Sequence, residues 1–253
     1  TQEEVEAHNV AHLPPRTWCR HCVRGRAVSL PHRQQDTTRD ARSLPTISMD
    51  YFFLGQDDGK TMAILAVKDH NTRKVAAFPV ESKGANAHAV SRLQNFSFKA
   101  GYRRVVLKDD QAPAILALKE ATRVALVGVD VLPEQSPVQE SESAGVIERA
   151  IQEIEKQCRV LKSQVDDGYG HKLHDKHPML PWLIEHAAAV LTRLAVGPDG
   201  RTAWELENGK PWKQPMPPFG EHVFFLPHRR GTKLNKLAAK WHEGAFVGNK
   251  QKE

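Results

Sequence analysis

Three acidic residues that lie far apart in the sequence, Asp50, Asp110 and Glu148, are candidate ligands for divalent metal ions. Asp50 falls within a predicted strand, Asp110 at the carboxyl end of another strand, and Glu148 one turn into a predicted helix. Three carboxylates held on rigid elements can bind two magnesium ions ~3.5–4 Å apart, an arrangement that suits in-line displacement at a phosphodiester. The alternative is that Asp50 and Asp110 are ordinary strand and turn residues and that Glu148 is merely solvated.

A second group of potential ligands lies near the amino terminus, where His8, His12, Cys19 and Cys22 form the pattern H-x3-H-x6-C-x2-C. Histidines one helical turn apart share one side of a helix, and a CxxC turn supplies two thiolates. Two imidazoles and two thiolates are ligands that tetrahedral zinc accepts, so the pattern predicts a structural zinc site. His21 could replace one of the other histidines, and a CxxC turn beside ordinary surface histidines is the alternative without metal.

The elements that must position the three acids follow the order βββαβαβα. Three strands joined by short turns predict an antiparallel meander, and the strands and helices that follow predict a mixed sheet with helices packed on it. Active sites in such sheets gather at the carboxyl ends of central strands. The divisions expected along the chain are a zinc-binding segment at 1–27, a basic linker at 28–43, the catalytic core at 44–165, a connector and helix at 166–210, and a small β-rich DNA-binding unit at 211–253.

The net charge of +6 over 253 residues is compatible with a polyanionic partner. Lys156 and Arg159 follow Glu148 on its predicted helix and could contact DNA phosphates, or could simply belong to a charged, solvated face. Further candidates for phosphate binding lie in the basic turn of the carboxyl-terminal unit, at Arg229, Arg230 and Lys233.

The three cysteines do not form a disulfide framework, which favours a reducing compartment. Cys158 falls on the apolar face of the helix that carries Glu148 and is expected in the core. No apolar run approaches membrane-spanning length and no signal peptide is recognisable, so no membrane partner is expected. The chain begins with Thr1 rather than Met, which suggests a processed product or an excised fragment.

The segments around the three acids resemble the core of a retroviral-type (DDE) integrase from a copia-like LTR retrotransposon. The matching stretches are SMDYFF for the first aspartate, VLKDDQAPAI for the second and SAGVIERAI for the glutamate. Of the adjacent Asp109 and Asp110, the second directly precedes Gln111 and so matches the family pattern. Downstream, TAWELENGKPW and AKWHEGAFVGN resemble segments that follow this core. The His and Cys pattern is similar to the family's zinc module, but its two pairs are closer together, which argues against a separate helical zinc domain.

The resemblance implies a ribonuclease-H-like fold and a DNA nucleotidyltransferase that trims the 3′ ends of element DNA and joins them to target DNA. It implies that Asp50, Asp110 and Glu148 are catalytic and hold two Mg²⁺ or Mn²⁺ ions, and that Zn²⁺ is structural. It also implies origin from a polyprotein, action in the host nucleus, double-stranded DNA as partner, and a homo-multimer that brings two DNA ends together. Two alternatives stay open, namely a ribonuclease-H-type nuclease with water as its only nucleophile and a non-catalytic nucleic-acid-binding zinc protein.

Overall fold

The computed structural model describes residues 1–26, 44–54, 62–109, 112–133, 141–227 and 239–249. One mixed sheet has the spatial order β3-β2-β1-β4-β5, built from the strands β1 Thr46–Leu54, β2 Met62–Asp69, β3 Val75–Val80, β4 Arg104–Lys108 and β5 Asp130–Pro133. Strands β1, β2 and β3 are antiparallel, whereas β1, β4 and β5 run parallel. This arrangement confirms the predicted α/β class and the ribonuclease-H-like mixed sheet.

Seven helices and a second, two-stranded sheet complete the described part of the chain. The helices are α1 Gln2–Ala11, α2 Arg20–Arg26, α3 Ala87–Lys99, α4 Pro113–Ala125, α5 Ser141–Tyr169, α6 Leu180–Leu194 and α7 Ala203–Asn208. The second sheet pairs β6 His222–Phe225 with β7 His242–Ala245 in antiparallel fashion, as predicted for the carboxyl-terminal unit. Thr1 caps α1 and Asn86 caps α3, and each side chain accepts a backbone N–H of the first turn.

Alternation along β1 sorts its side chains between two cores, one on each face of the main sheet. Ile47, Met49 and Tyr51 pack in the core that α3 and α4 cover. Phe52 packs in the other core, which α5 and α6 cover. Asp50 has the same parity as Phe52 and therefore lies on the face of the sheet that α5 and α6 cover.

Helix α5, with 29 residues, is the longest helix of the described chain and lies against two different partners. On one side Ile154 packs with Phe52 against the sheet. On another side Val160 forms a small buried cluster with Cys19 and Cys22. The helix therefore joins the main sheet to the amino-terminal segment.

Helix α5 continues to Tyr169, and Leu161 and Val165 extend its buried face into the second half of the helix. Helix α4 runs on to Ala125, so β5 is confined to the four residues Asp130–Pro133. The basic linker predicted at 28–43 lies outside the described residues. No helix in the described ranges is both long enough and apolar enough to cross a membrane.

Truncating Ile154 tests the packing of α5 on the sheet. Ile154→Ala should lower the free energy of unfolding by ~2–5 kcal/mol, because the side chain is fully buried (0% exposed) and its loss leaves a cavity. A urea titration followed by circular dichroism measures the change. Gln152→Ala, on the exposed side of the same helix, is the control and should change the free energy of unfolding by less than ~0.5 kcal/mol. Equal effects of the two substitutions would show that Ile154 does not anchor α5.

Candidate metal centres

The four predicted zinc ligands, His8, His12, Cys19 and Cys22, lie together and are all buried. One ligand atom from each of them falls within 4.8 Å of every other. Nδ1 of His12 is 3.3 Å from Sγ of Cys19, and Nε2 of His8 is 3.3 Å from Sγ of Cys22. The side chains of two successive helical segments therefore converge on one small volume.

Local structure brings the histidine pair and the cysteine pair together. His8 and His12 are one helical turn apart, and their ring centroids are separated by 5.1 Å. Helix α1 ends at Ala11, and the left-handed backbone of the next residue, His12 (φ 55°), turns the chain while its N–H still donates to the His8 carbonyl at 2.7 Å. Cys22 lies in the first turn of α2 and Cys19 directly precedes that helix, so both thiols reach the histidines.

Burial sets the protonation states of these side chains. It lowers the pKa of His12 to about 4 and also lowers the pKa of His8, so both imidazoles are neutral near pH 7 and have a free lone pair. Burial raises the pKa of the Cys22 thiol, and a bound cation would offset that effect by stabilising the thiolate. Two neutral imidazoles and two thiols, all withdrawn from solvent, fit a closed structural zinc site.

His21, the alternative ligand, lies beside this group but outside it. Its Nδ1 is 3.1 Å from the hydroxyl oxygen of Ser163 and 3.6 Å from a carboxylate oxygen of Asp167, both on α5. The geometry therefore favours His8 and His12 as the two imidazole ligands.

The second candidate centre lies on the face of the main sheet that α5 covers. Asp50 is half-buried there, and one of its carboxylate oxygens accepts the N–H of Tyr51 at 2.6 Å. The parallel pairing of β1 with β4 runs up to Ser48 and Lys108, and Asp50 follows Ser48 by two residues. Asp50 thus lies on the strand next to β4, just beyond the last residue of β4 that pairs with β1.

Glu148 is exposed on α5, close to the start of that helix. On one flank of the helix, Val146 and Arg149 line a groove together with Lys68 of β2 and Val75 of β3. Helical periodicity puts Glu148 on the opposite flank, away from β3 and on the side of β1 and β4. Asp50 and the helix that carries Glu148 therefore share one face of the sheet.

Of the two adjacent aspartates after β4, the structure describes Asp109 but not Asp110. The Asp109 side chain is almost fully buried (2% exposed) and forms an ion pair with Lys119 of α4 at 2.9 Å. This contact fastens the end of β4 to α4, which fits a structural role for Asp109. Asp110, the predicted second metal ligand, lies outside the described residues, so its assignment rests on the sequence pattern.

The predicted DNA contacts on α5 take part in local ion pairs. Nζ of Lys156 is 3.0 Å from Glu153, and Arg159 is 3.8 Å from Glu155. Arg159 also donates to the carbonyl of Gly25 at 3.3 Å and so joins α5 to α2, a contact that the sequence did not suggest. The candidates in the carboxyl-terminal basic turn all lie outside the described residues, namely Arg229, Arg230 and Lys233.

No protein-family model matches the sequence, and no curated protein matches it. Among solved structures, the chain is similar to the HTLV-2 integrase catalytic core domain in complex with magnesium, at 17% identity and a TM-score of 0.47, over 67% of this chain and 100% of that one. It is also similar to the catalytic core domain of BIV integrase (19% identity, TM-score 0.43, 64% of this chain and 92% of that one). A third similar structure is a simian T-cell lymphotropic virus intasome (15% identity, TM-score 0.48, 97% of this chain and 80% of that one). At these identities and TM-scores the likeness carries no conclusion about activity, which has to come from the residues of this chain.

Removing either thiol of the amino-terminal cluster should abolish tight zinc binding. Cys19→Ser and Cys22→Ser each delete a soft ligand, so the affinity for Zn²⁺, measured by competition with a chromophoric chelator, should fall by more than ~100-fold. Cys158→Ala is the matched control, because that thiol is buried in the core between α5 and the sheet, and it should leave the affinity unchanged. Equal zinc affinities of all three variants would contradict a four-ligand site.

Proposed function

We propose that this chain is an integrase-type DNA nucleotidyltransferase of a copia-like LTR retrotransposon. The observation that carries the proposal is that Asp50 and the helix bearing Glu148 share one face of the sheet. The carboxyl end of β4 lies next to Asp50. Asp110 follows the last residue of β4 by two positions and is the third carboxylate of the proposed centre. The His and Cys cluster adds a structural zinc site of the kind that the sequence resemblance implies.

In this proposal the three carboxylates hold two divalent cations, and packed elements of the fold carry two of them, Asp50 and Glu148. Bound Mg²⁺ or Mn²⁺ would activate the attacking oxygen and stabilise the leaving oxygen of a phosphodiester. Asp50 belongs to β1, which has a hydrogen-bonded neighbour strand on each side, and the buried face of α5 fixes the helix of Glu148. Because these elements are already ordered, the site needs little rearrangement when DNA binds.

The same centre would serve two reactions in turn. Water would first be the nucleophile that trims the 3′ end of the element DNA, and the new 3′-OH would then attack a target phosphodiester. Both nucleophiles are oxygens in line with the leaving group, so no covalent enzyme intermediate is needed. Joining two element ends calls for a homo-multimer that acts on double-stranded DNA in the host nucleus.

Neutralising Glu148 tests the proposed chemistry. Glu148→Gln should lower the magnesium-dependent joining of a labelled duplex oligonucleotide to target DNA by more than ~100-fold, because a metal ligand matters at least as much as the groups that orient it. Glu155→Gln, two turns further along α5, is the matched control and should retain activity. Denaturing gel electrophoresis resolves the trimmed and joined products.

Other outcomes of this assay point to the alternatives. Cleavage without joining, lost in Glu148→Gln, would indicate a ribonuclease-H-type nuclease. Binding of DNA with neither cleavage nor joining, and with no effect of Glu148→Gln, would indicate a non-catalytic zinc protein. Either result would overturn the integrase proposal.

Binding to DNA should weaken steeply with salt, because Lys and Arg that neutralise phosphates release condensed counterions. For 6–10 phosphate contacts, the affinity should fall ~10³–10⁵-fold between roughly 50 and 200 mM salt. Replacing Arg229, Arg230 and Lys233 together with alanine should reduce the slope of log affinity against log salt by about one for each residue. Fluorescence anisotropy measures both effects. An unchanged slope in the triple variant would refute the assignment of these three residues to phosphate binding.

A further inference from the structure

Two glutamines of α5 hold the carboxyl end of α1, the helix that presents the histidine ligands. Nε2 of Gln157 donates to the carbonyl of Ala11 at 2.5 Å, and Nε2 of Gln164 donates to the carbonyl of Asn9 at 2.9 Å. Carbonyl groups in the last turn of a helix have no partner within the helix. Helix α5 therefore supplies donors that α1 itself cannot provide.

The two glutamines project from one side of α5, because they are seven residues apart, or about two turns. Gln157 is fully buried (0% exposed), and its Oε1 accepts a hydrogen bond from Arg26 at the end of α2. Arg26 also pairs with Glu153 of α5 at 3.2 Å. One buried side chain of α5 thus contacts both helices of the metal-binding segment.

Gln164 acts on the histidine ligands through the backbone of α1. The carbonyl that it holds belongs to Asn9, the residue between the two turns that carry His8 and His12. Nδ1 of His12 faces the Cys19 thiol. Both Nε2 of His12 and Oε1 of Gln164 are buried, and neither has a hydrogen-bond partner among the described residues.

The close approach of α2 to α5 restricts movement of the metal-binding segment. A Cβ added at Gly25 would collide with Cγ2 and the backbone of Val160, so the two helices touch through bare backbone. Val160 in turn packs with Cys19 and Cys22. The cysteine ligands therefore share a small core with α5, and the helix that carries the histidine ligands is hydrogen-bonded to α5 through its backbone.

We propose that Gln157 and Gln164 are positioning residues of the metal centre, so that zinc affinity depends on the docking of α1 and α2 against α5. The inference rests on the zinc ligation included in the proposed function and is independent of DNA joining. Coupling between two equilibria is reciprocal. If docking of α1 and α2 against α5 tightens zinc binding, bound zinc must therefore stabilise that docking by the same free energy. The metal centre is thereby linked to the helix that carries Glu148.

The test measures zinc affinity of the full chain, without DNA, by competition with a chromophoric chelator. Gln164→Met keeps the side-chain length but removes the hydrogen bond to Asn9, so zinc binding should weaken by ~10–100-fold, the usual effect of losing a group that orients a ligand. Gln157→Met should act in the same direction. Gln152→Met, exposed on the same helix, is the matched control and should leave the affinity unchanged.

A second readout separates positioning from a general loss of stability. The midpoint of thermal unfolding is measured with zinc and with excess chelator, and the difference between the two reflects binding of zinc to the folded chain. A positioning role predicts that this difference shrinks in Gln164→Met. Unchanged zinc affinity, with both midpoints lowered equally, would overturn the proposal.

A milder variant keeps the test decisive if Gln164→Met does not fold. Gln164→Asn retains the amide but is one methylene shorter, so its Nδ2 cannot reach the carbonyl of Asn9 at hydrogen-bond distance. Its zinc affinity should also fall relative to Gln152→Met, and equal affinities would refute the role of Gln164. Because no DNA is present, failure of strand joining would count against the proposed function and leave this result standing.

Discussion

Helix α5 is packed on two sides, and this double packing is the constraint on which the rest of the structure depends. One side buries Ile154 and Leu161 against the sheet, and another side buries Val160 against the two cysteines. Apolar burial contributes on the order of 25 cal/mol per Å² but does not by itself select one relative orientation of the helices. The hydrogen bonds of Gln157 and Gln164 select that orientation, because each is made to one particular carbonyl of α1. The helix is therefore fixed both along its axis and about it.

This constraint serves both candidate metal centres. Helices α1 and α2 are too short to enclose a core of their own, and the apolar surface of α5 completes the core around the cysteines. Near the other end of α5, Glu148 is exposed, yet it belongs to a helix whose following turns are held by the sheet. Asp50 lies on β1, between β2 and β4. Carboxylates brought close together repel one another, and a divalent cation bound between the proposed ligands would offset that repulsion.

Local sequence patterns predicted much of this structure, but they did not predict the polar contacts between residues far apart in the sequence. The strand predicted around Asp50 is confirmed as β1, and helical periodicity correctly put Cys158 in the core, where burial raises its pKa to about 12. The His and Cys spacing predicted the ligand cluster, because those ligands are close in sequence. Gln157 and Gln164 could not be singled out, since their partners on α1 lie 146 and 155 residues away and a polar helical residue gives no signal of its own.

The proposed chemistry requires Asp50, Asp110 and Glu148 to form one binding site for divalent cations. Anomalous diffraction from crystals soaked in Mn²⁺ would locate such a site, because manganese replaces magnesium and can be found independently of the protein atoms. We expect two manganese ions ~3.5–4 Å apart, with carboxylate oxygens of all three residues among their ligands. A map in which Asp50 and Glu148 share no bound manganese centre would contradict it.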